Sequence, residues 1–91
     1  MISMSSTVAS SKAQISTNLS NEMVILNTEN GVYYGLNPVG AHIWQLIQEP
    51  KPVSDVLKSL LDHYDVDEER CKNDLLSILN NLKQHGLIEV T

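Results

Sequence analysis

The sequence is poor in the residue types on which several classes of protein depend. Its single cysteine, Cys71, cannot form an internal disulfide. Residues 1–12 have neither the basic start nor the continuous apolar stretch of a signal peptide. No run in the chain approaches the ~18 apolar residues of a membrane span. These absences predict a soluble cytoplasmic protein with no membrane partner.

Basic residues are also scarce, with six lysines and arginines against eleven aspartates and glutamates and a formal net charge of −5. Proteins that bind nucleic acids draw much of their affinity from cationic side chains that neutralise phosphates. The net charge of this chain has the wrong sign for that role. We therefore expect no nucleic-acid partner.

Sequence motifs for catalysis are missing as well. The chain has no glycine-rich phosphate loop, no paired metal-ligand spacing and no nucleophile elbow. His42, His63 and His85 are spread over three predicted helices or their ends, which favours ordinary surface histidines over a shared metal site. Cys71 falls on an apolar helix stripe, where it is expected to be a small buried residue. We expect no catalytic residue, no metal and no cofactor.

The N-terminal segment Met1–Ser11 contains five serines and no sustained apolar periodicity. Such a segment buries too little apolar surface to offset the entropy lost on ordering it. We expect residues 1–11 to form a flexible arm that the fold does not need, followed by one domain over residues 12–91. A weak alternation over Lys12–Ser16 predicts a first, frayed strand.

A β-hairpin is predicted over Glu22–Leu36, where two β-prone runs flank the three-residue loop Glu29–Gly31. Pairing of Thr28 with Val32 places one set of side chains toward the core: Val24, Leu26, Tyr34 and Leu36. The opposite face then carries Met23, Ile25 and Tyr33, which is more apolar than a half-exposed sheet should be. Either the N-terminal arm or Ile15 covers this face, or a partner peptide does.

Three helices follow the hairpin. The first begins at Asn37-Pro38, an N-cap acceptor before a proline, and is stopped by Pro50 and Pro52. Its inner side is predicted to carry Val39, Ile43, Leu46 and Ile47, with Trp44 beside them. Helical spacing of apolar residues predicts the second over Val53–Tyr64. The third runs from an Asp67 cap to about His85, before Gly86. Its inner stripe is predicted to contain Cys71, Leu75, Ile78, Leu79 and Leu82.

Leu76 lies off the centre of this stripe, on a flank shared with Lys72, Leu79 and Lys83. An apolar flank with two cationic edges suits an extended peptide that carries an aromatic or aliphatic anchor and some acidic residues. The alternative is that Leu76 simply packs against the hairpin as part of the core.

In combination, these segments resemble the PqqD-like family, also called RiPP recognition elements. The string Val32–Trp44, VYYGLNPVGAHIW, carries the clearest likeness. Val53–Val66 is similar to the second helix of that family, and Asp67–Ile88, which closes on Gly-Leu-Ile, is similar to its third helix and terminus.

The resemblance implies an α+β, winged-helix-like fold, with an N-terminal antiparallel sheet of two or three strands followed by three α-helices. It also implies a non-catalytic role, in which the chain captures the leader part of a ribosomally made precursor peptide and delivers it to separate modifying enzymes. In the family, the leader adds antiparallel to the third strand and packs in the groove between that strand and the third helix. The corresponding residues here are Val32, Tyr33, Tyr34, Gly35, Leu36, Lys72, Leu75, Leu76, Leu79 and Lys83.

The branch of the family leaves alternatives open. The stretch YYGLNPVG is most similar to stand-alone leader-binding proteins of lasso-peptide pathways, whose partners are a leader peptidase and a macrolactam-forming cyclase. A homologue in pyrroloquinoline quinone synthesis would hand its peptide to a different peptide-modifying enzyme. A winged helix also serves as a DNA-binding regulator, but Asp67–His85 has four acidic and three basic residues and thus no basic excess. A dimer joined through an edge strand is a further possibility.

Overall fold

A computed structural model of the chain describes residues 2–11, 14–19 and 22–91, with side chains for residues 2–11 and 23–91. Within this part of the chain, strands come first and three helices follow, so the predicted α+β, winged-helix-like arrangement is confirmed. In chain order, the elements are β1 (Thr7–Ser10), β2 (Gln14–Leu19), β3 (Glu22–Asn27), β4 (Tyr33–Leu36), α1 (Pro38–Leu46), β5 (Lys51–Pro52), α2 (Val53–His63), α3 (Glu68–Gln84) and β6 (Ile88–Val90).

The described strands form two antiparallel sheets. One has the order β2-β3-β4 and contains the predicted hairpin. The other has the order β5-β1-β6 and joins the beginning of the chain to its end. β4 lies at the edge of the first sheet, so one of its sides has no neighbouring strand among those described.

The prediction of a flexible arm is wrong for the segment that forms β1. Val8 is completely buried and Ile2 is only 4% exposed. The backbone of the segment is also paired, since Ser10 N–H donates to the Ile47 carbonyl at 2.8 Å and Val53 N–H donates to the Ser6 carbonyl at 2.9 Å. The prediction failed because β5 and β6, distant in sequence, supply the hydrogen bonds and the apolar surroundings that the segment lacks locally.

The hairpin differs from the prediction by one residue in its register. Asn27 N–H donates to the Val32 carbonyl at 3.0 Å, and Ile25 pairs with Tyr34, so the loop has four residues, Thr28–Gly31. The slip exchanges the two faces of β3. Met23 and Ile25 are part of the core, whereas Val24 and Leu26 are half-buried on the other face. Burial of Met23 and Ile25 in the core therefore needs no cover from the N-terminal arm or from a partner peptide. The predicted alternative, cover by Ile15, lies outside the described side chains.

Asn27 accounts for this register. It is only 4% exposed, and its Nδ2 donates to the His85 carbonyl at 2.8 Å, which ties the hairpin to the end of α3. Its Oδ1 accepts from Glu29 N–H at 2.9 Å, a local turn that starts the loop one residue earlier than predicted. Gly31, at the end of the loop, has a φ of 73°, which glycine adopts without steric cost.

The helices begin where their capping residues predict. Asn37 Oδ1 accepts from Gly40 N–H at 2.8 Å at the start of α1, and Asp67 accepts from Arg70 N–H at 3.1 Å at the start of α3. Gly86 ends α3 with a φ of 69°. The inner side of the three helices and the two sheets enclose one apolar core, which contains Trp44, Ile43, Ile47, Val53, Val56, Leu60, Leu75, Leu79, Leu82 and Leu87.

On α1, one predicted core residue lies elsewhere. Val39 is 38% exposed, while the buried stripe of α1 runs through Gly40, Ile43 and Trp44 to Ile47. Gly40 lies so close to Leu36 that a Cβ added to Gly40 would come within 3.1 Å of Leu36 Cδ2.

Among the described residues, no helix is long and apolar enough to cross a membrane.

Candidate functional site

The outer edge of β4 offers main-chain hydrogen-bonding groups to a partner. In an antiparallel pair, successive residues direct these groups alternately toward and away from the neighbouring strand. Because Val32 pairs with Asn27 and Tyr34 with Ile25, the N–H and C=O groups of Tyr33 and Gly35 point away from β3. Within the part of the chain that the structure describes, no strand pairs with this edge. It is therefore a template for an added strand.

The side chains of β4 alternate between the two faces of the sheet. Leu36 is buried on the core side, where Tyr34 is half-buried. The Tyr34 ring packs edge-on against His85, with centroids 4.9 Å apart, and His85 Nδ1 donates to the Asn81 carbonyl at 2.7 Å. The C-terminal end of α3 thus lies beside the first half of β4.

An open cavity of about 500 Å³ lies between α1 and α3, and its wall begins at Val39, three residues after β4. This volume falls in the range of small-ligand sites, and most of the lining is apolar. The lining residues are Val39, Ile43, Leu60, Tyr64, Asp65, Val66, Arg70, Cys71, Asp74, Leu75 and Ile78. Asp65, Arg70 and Asp74 are exposed, so the rim offers charges of both signs. The cavity suits a large apolar side chain with polar neighbours.

One flank of α3 lines the cavity. Cys71, Asp74 and Ile78 line it, and His85, which contacts β4, falls on the same side of the helix at ~100° per residue. The Tyr34–His85 contact places this flank on the side of α3 that faces β4, and we call the region between them the groove. The deeper wall is Leu75, which is part of the buried stripe.

The α3 residues predicted from the sequence are placed differently. Lys72, Leu76 and Lys83 fall on the opposite flank of the buried stripe and do not line the cavity. Leu79 is completely buried, and Leu76 is half-buried against the core. Of the ten predicted site residues, Leu75 lines the cavity, and Val32–Leu36 lie in β4 or directly before it, outside the cavity lining.

Apart from Leu75, the residues that line the cavity were not among the site residues predicted from the sequence. Val39 and Ile78 were recognised as apolar but were assigned to the core, and Tyr64 was treated as the end of a helix stripe. The available signal was the width of the apolar surface on α1 and α3, which exceeds what one buried stripe requires.

Two of the three histidines meet beside the cavity wall. The His42 and His63 rings are 4.7 Å apart, and His42 Nδ1 lies 3.4 Å from the Tyr64 hydroxyl. Burial, and then the proximity of His63, lowers the pKa of His42, so the neutral ring is favoured. Among the described residues, no group of three or more histidine, cysteine or acidic side chains is arranged to hold a metal.

Cys71 is part of the cavity wall. Burial, and then the nearby Asp74, raises the pKa of its thiol. The thiol is therefore held in the neutral form, which is a poor nucleophile. Its contribution to the site is apolar surface.

Comparison with known proteins identifies one family and similar solved structures. The family model described as "Coenzyme PQQ synthesis protein D (PqqD)" matches residues 22–88. A solved structure, "TbiB1 in Complex with the TbiA(beta) Leader Peptide", has a TM-score of 0.81 and 32% sequence identity, over 89% of this chain and 94% of that one. Another, "Lasso peptide synthetase B1 complexed with the leader peptide", has a TM-score of 0.78 and 23% identity, over 90% and 96% of the two chains. No curated protein sequence matches. By its family match and its fold, the chain belongs to the PqqD family.

Proposed function

We propose that this chain binds the leader part of a ribosomally made precursor peptide and presents it to separate modifying enzymes, with no catalysis of its own. One observation carries the proposal: the edge of β4, with which no described strand pairs, is followed within three residues by Val39 in the wall of an apolar cavity that α3 also lines. Together these features supply the two components of peptide recognition by strand addition, main-chain pairing and a side-chain pocket.

The peptide would add antiparallel to β4. Its main chain bonds the outward-facing groups of Tyr33 and Gly35, which makes part of the affinity independent of sequence. Every second side chain then faces the groove on the core side of the sheet. Near the Leu36 end, one of these enters the cavity as an aromatic or aliphatic anchor. Arg70 and Asp74 at the rim select its polar neighbours.

The peptide-binding part of α3 is accordingly revised. We retain Val32, Tyr33, Tyr34, Gly35 and Leu36 for the strand side and Leu75 for the depth of the groove. On α3, the proposal replaces Lys72, Leu76, Leu79 and Lys83 by the cavity-lining Cys71, Asp74 and Ile78. The reason is that a peptide on the β4 edge reaches only the flank that faces β4.

The lasso-peptide branch is favoured by the 32% identity with TbiB1, whose structure contains a leader peptide. On this reading, the enzyme partners are a leader peptidase and a macrolactam-forming cyclase, and the complex forms in the cytoplasm, where the precursor is translated. The alternative, a role in pyrroloquinoline quinone synthesis, involves the same binding step and a different modifying enzyme.

The function is tested by selecting binders from a displayed library of random peptides, together with the TbiA(beta) leader peptide as a defined ligand. Selected peptides are then made with single N-methylated amides and titrated by calorimetry. We expect affinity to fall at least tenfold, about 1.4 kcal/mol, for methyl groups at alternate positions that pair with β4, and to change little at the positions between. If no peptide binds, or the effects lack this period of two, the proposal is wrong. Mass spectrometry should find the bound peptides chemically unchanged.

A further inference from the structure

The face of the β2-β3-β4 sheet that points away from the core has an unfilled apolar notch. Gly35 pairs with Val24, and Tyr33 pairs with Leu26, so all four positions share this face. Tyr33 is 69% exposed, whereas Val24 and Leu26 are half-buried. A Cβ built on Gly35 would meet no atom of the described residues within 4 Å. The notch therefore has glycine backbone as its floor, with Tyr33 and Val24 at its sides.

The chain's own fold does not require glycine at this position. Among the described glycines, Gly31 and Gly86 have positive φ, and Gly35 does not. The described residues leave the space around Gly35 open, so they do not exclude a side chain by crowding either. Glycine inside a strand weakens the strand and commonly marks a place where another chain approaches closely. An exposed tyrosine beside it adds apolar surface at the same place.

The proposed peptide strand would place a side chain over this notch. Residues directly opposite each other in an antiparallel pair point to the same face. A peptide residue opposite Gly35 therefore projects onto the outer face, away from α3. A large side chain there can lie across the glycine and contact Val24 and Tyr33, the arrangement by which aromatic residues compensate for glycine in a neighbouring strand.

We propose that Tyr33, Gly35 and Val24 form a second specificity site, which takes an aromatic or large aliphatic side chain from the outward-facing set of the bound peptide. The inference rests on the proposed function and deepens it: the peptide is selected on both faces of the added strand, by the cavity on one side and the notch on the other. The described side chains at the notch are uncharged, so a charged residue at that peptide position is disfavoured.

Filling the notch separates peptide selection from folding. Gly35→Val places a β-branched side chain where the peptide side chain would lie, and it should maintain or raise the stability of β4 because valine favours strands. Peptides selected on the parent protein should bind this variant about five- to tenfold more weakly. Glu89→Val, at an exposed position of β6 in the other sheet, is the matched control and should bind them as the parent does. Tyr33→Thr should weaken binding in the same direction as Gly35→Val, with little change in the unfolding curve.

The displayed library supplies the decisive comparison. Peptides selected on the parent should carry a large apolar residue at the outward position, and its replacement by alanine should weaken binding to the parent but not to Gly35→Val. Selection on Gly35→Val should instead enrich small residues at that position. If both proteins select the same peptides with equal affinity, the notch is not a specificity site. If neither selects any peptide, the proposed function itself has failed. If circular dichroism shows Gly35→Val to be unfolded, Tyr33→Thr decides: unchanged affinity contradicts the notch.

Discussion

Removing residues 1–11 is expected to lower the free energy of unfolding by about 3–6 kcal/mol, because the deletion exposes the space filled by Ile2 and Val8. Each of these side chains contributes roughly 1.5–3 kcal/mol when buried, and both are at least 96% buried here. The deletion also leaves the edges of β5 and β6 without β1 between them. A domain of this size has a total stability of about 5–15 kcal/mol. The truncated chain should therefore be marginally stable, as measured by urea denaturation with circular dichroism.

A matched pair of substitutions isolates the role of the buried side chain. Val8→Asp places a charge in the core and should destabilise the protein as strongly as the truncation does. Ser5→Asp, on the exposed part of the same segment, should leave the unfolding midpoint nearly unchanged. If truncation lowers the free energy of unfolding by less than ~1 kcal/mol, the effect is typical of a surface change. The flexible arm predicted from the sequence would then be correct.

Ile78→Asp is expected to weaken peptide binding by more than tenfold, above 1.4 kcal/mol, while the protein remains folded. Ile78 lines the cavity and is only partly buried, so a carboxylate there reaches solvent in the free protein. When the peptide binds, the same carboxylate must be desolvated against the apolar anchor. Calorimetric titration of library-selected peptides measures this loss, and circular dichroism confirms the fold.

Leu76→Asp is the matched control, because Leu76 is a partly buried leucine on the opposite flank of the same helix. It should bind the peptides as tightly as the parent does. Leu82→Asp, at the fully buried centre of the stripe, should unfold the domain and mark the cost of a true core substitution. If Leu76→Asp loses binding and Ile78→Asp keeps it, the groove lies on the Lys72–Lys83 flank that the sequence alone suggested.

The features predicted correctly are those that depend on short stretches of sequence. Asn37, Asp67 and Gly86 cap their helices within a few residues of their own positions. The spacing of apolar residues located α2 in the same way. On α3, three of the five residues predicted for the inner stripe are buried, whereas Cys71 and Ile78 are partly buried and line the cavity. Such local patterns gave the order of the hairpin and the three helices, and the family resemblance gave the fold class.

The incorrect predictions concern features whose structure depends on contacts with distant parts of the chain. The hairpin register depends on Asn27, whose hydrogen-bond partner His85 is 58 residues away. Ordering of β1 depends on β5 and β6, neither of which is visible from the N-terminal sequence. The side of α3 that faces β4 was ambiguous because both flanks of its stripe carry partly buried apolar residues, Leu76 on one and Ile78 on the other. No sequence period distinguishes them.

The central claim, that a peptide adds as a strand to the free edge of β4, is tested most directly by amide hydrogen exchange of β4 measured by NMR. In the free protein, Tyr33 and Gly35 should exchange quickly because their N–H groups point away from β3, while Tyr34 and Leu36 are protected. Saturation with a library-selected peptide should slow exchange at Tyr33 and Gly35 by at least tenfold and change the other two much less. Unchanged exchange at Tyr33 and Gly35 in a saturated complex would show that the peptide binds elsewhere.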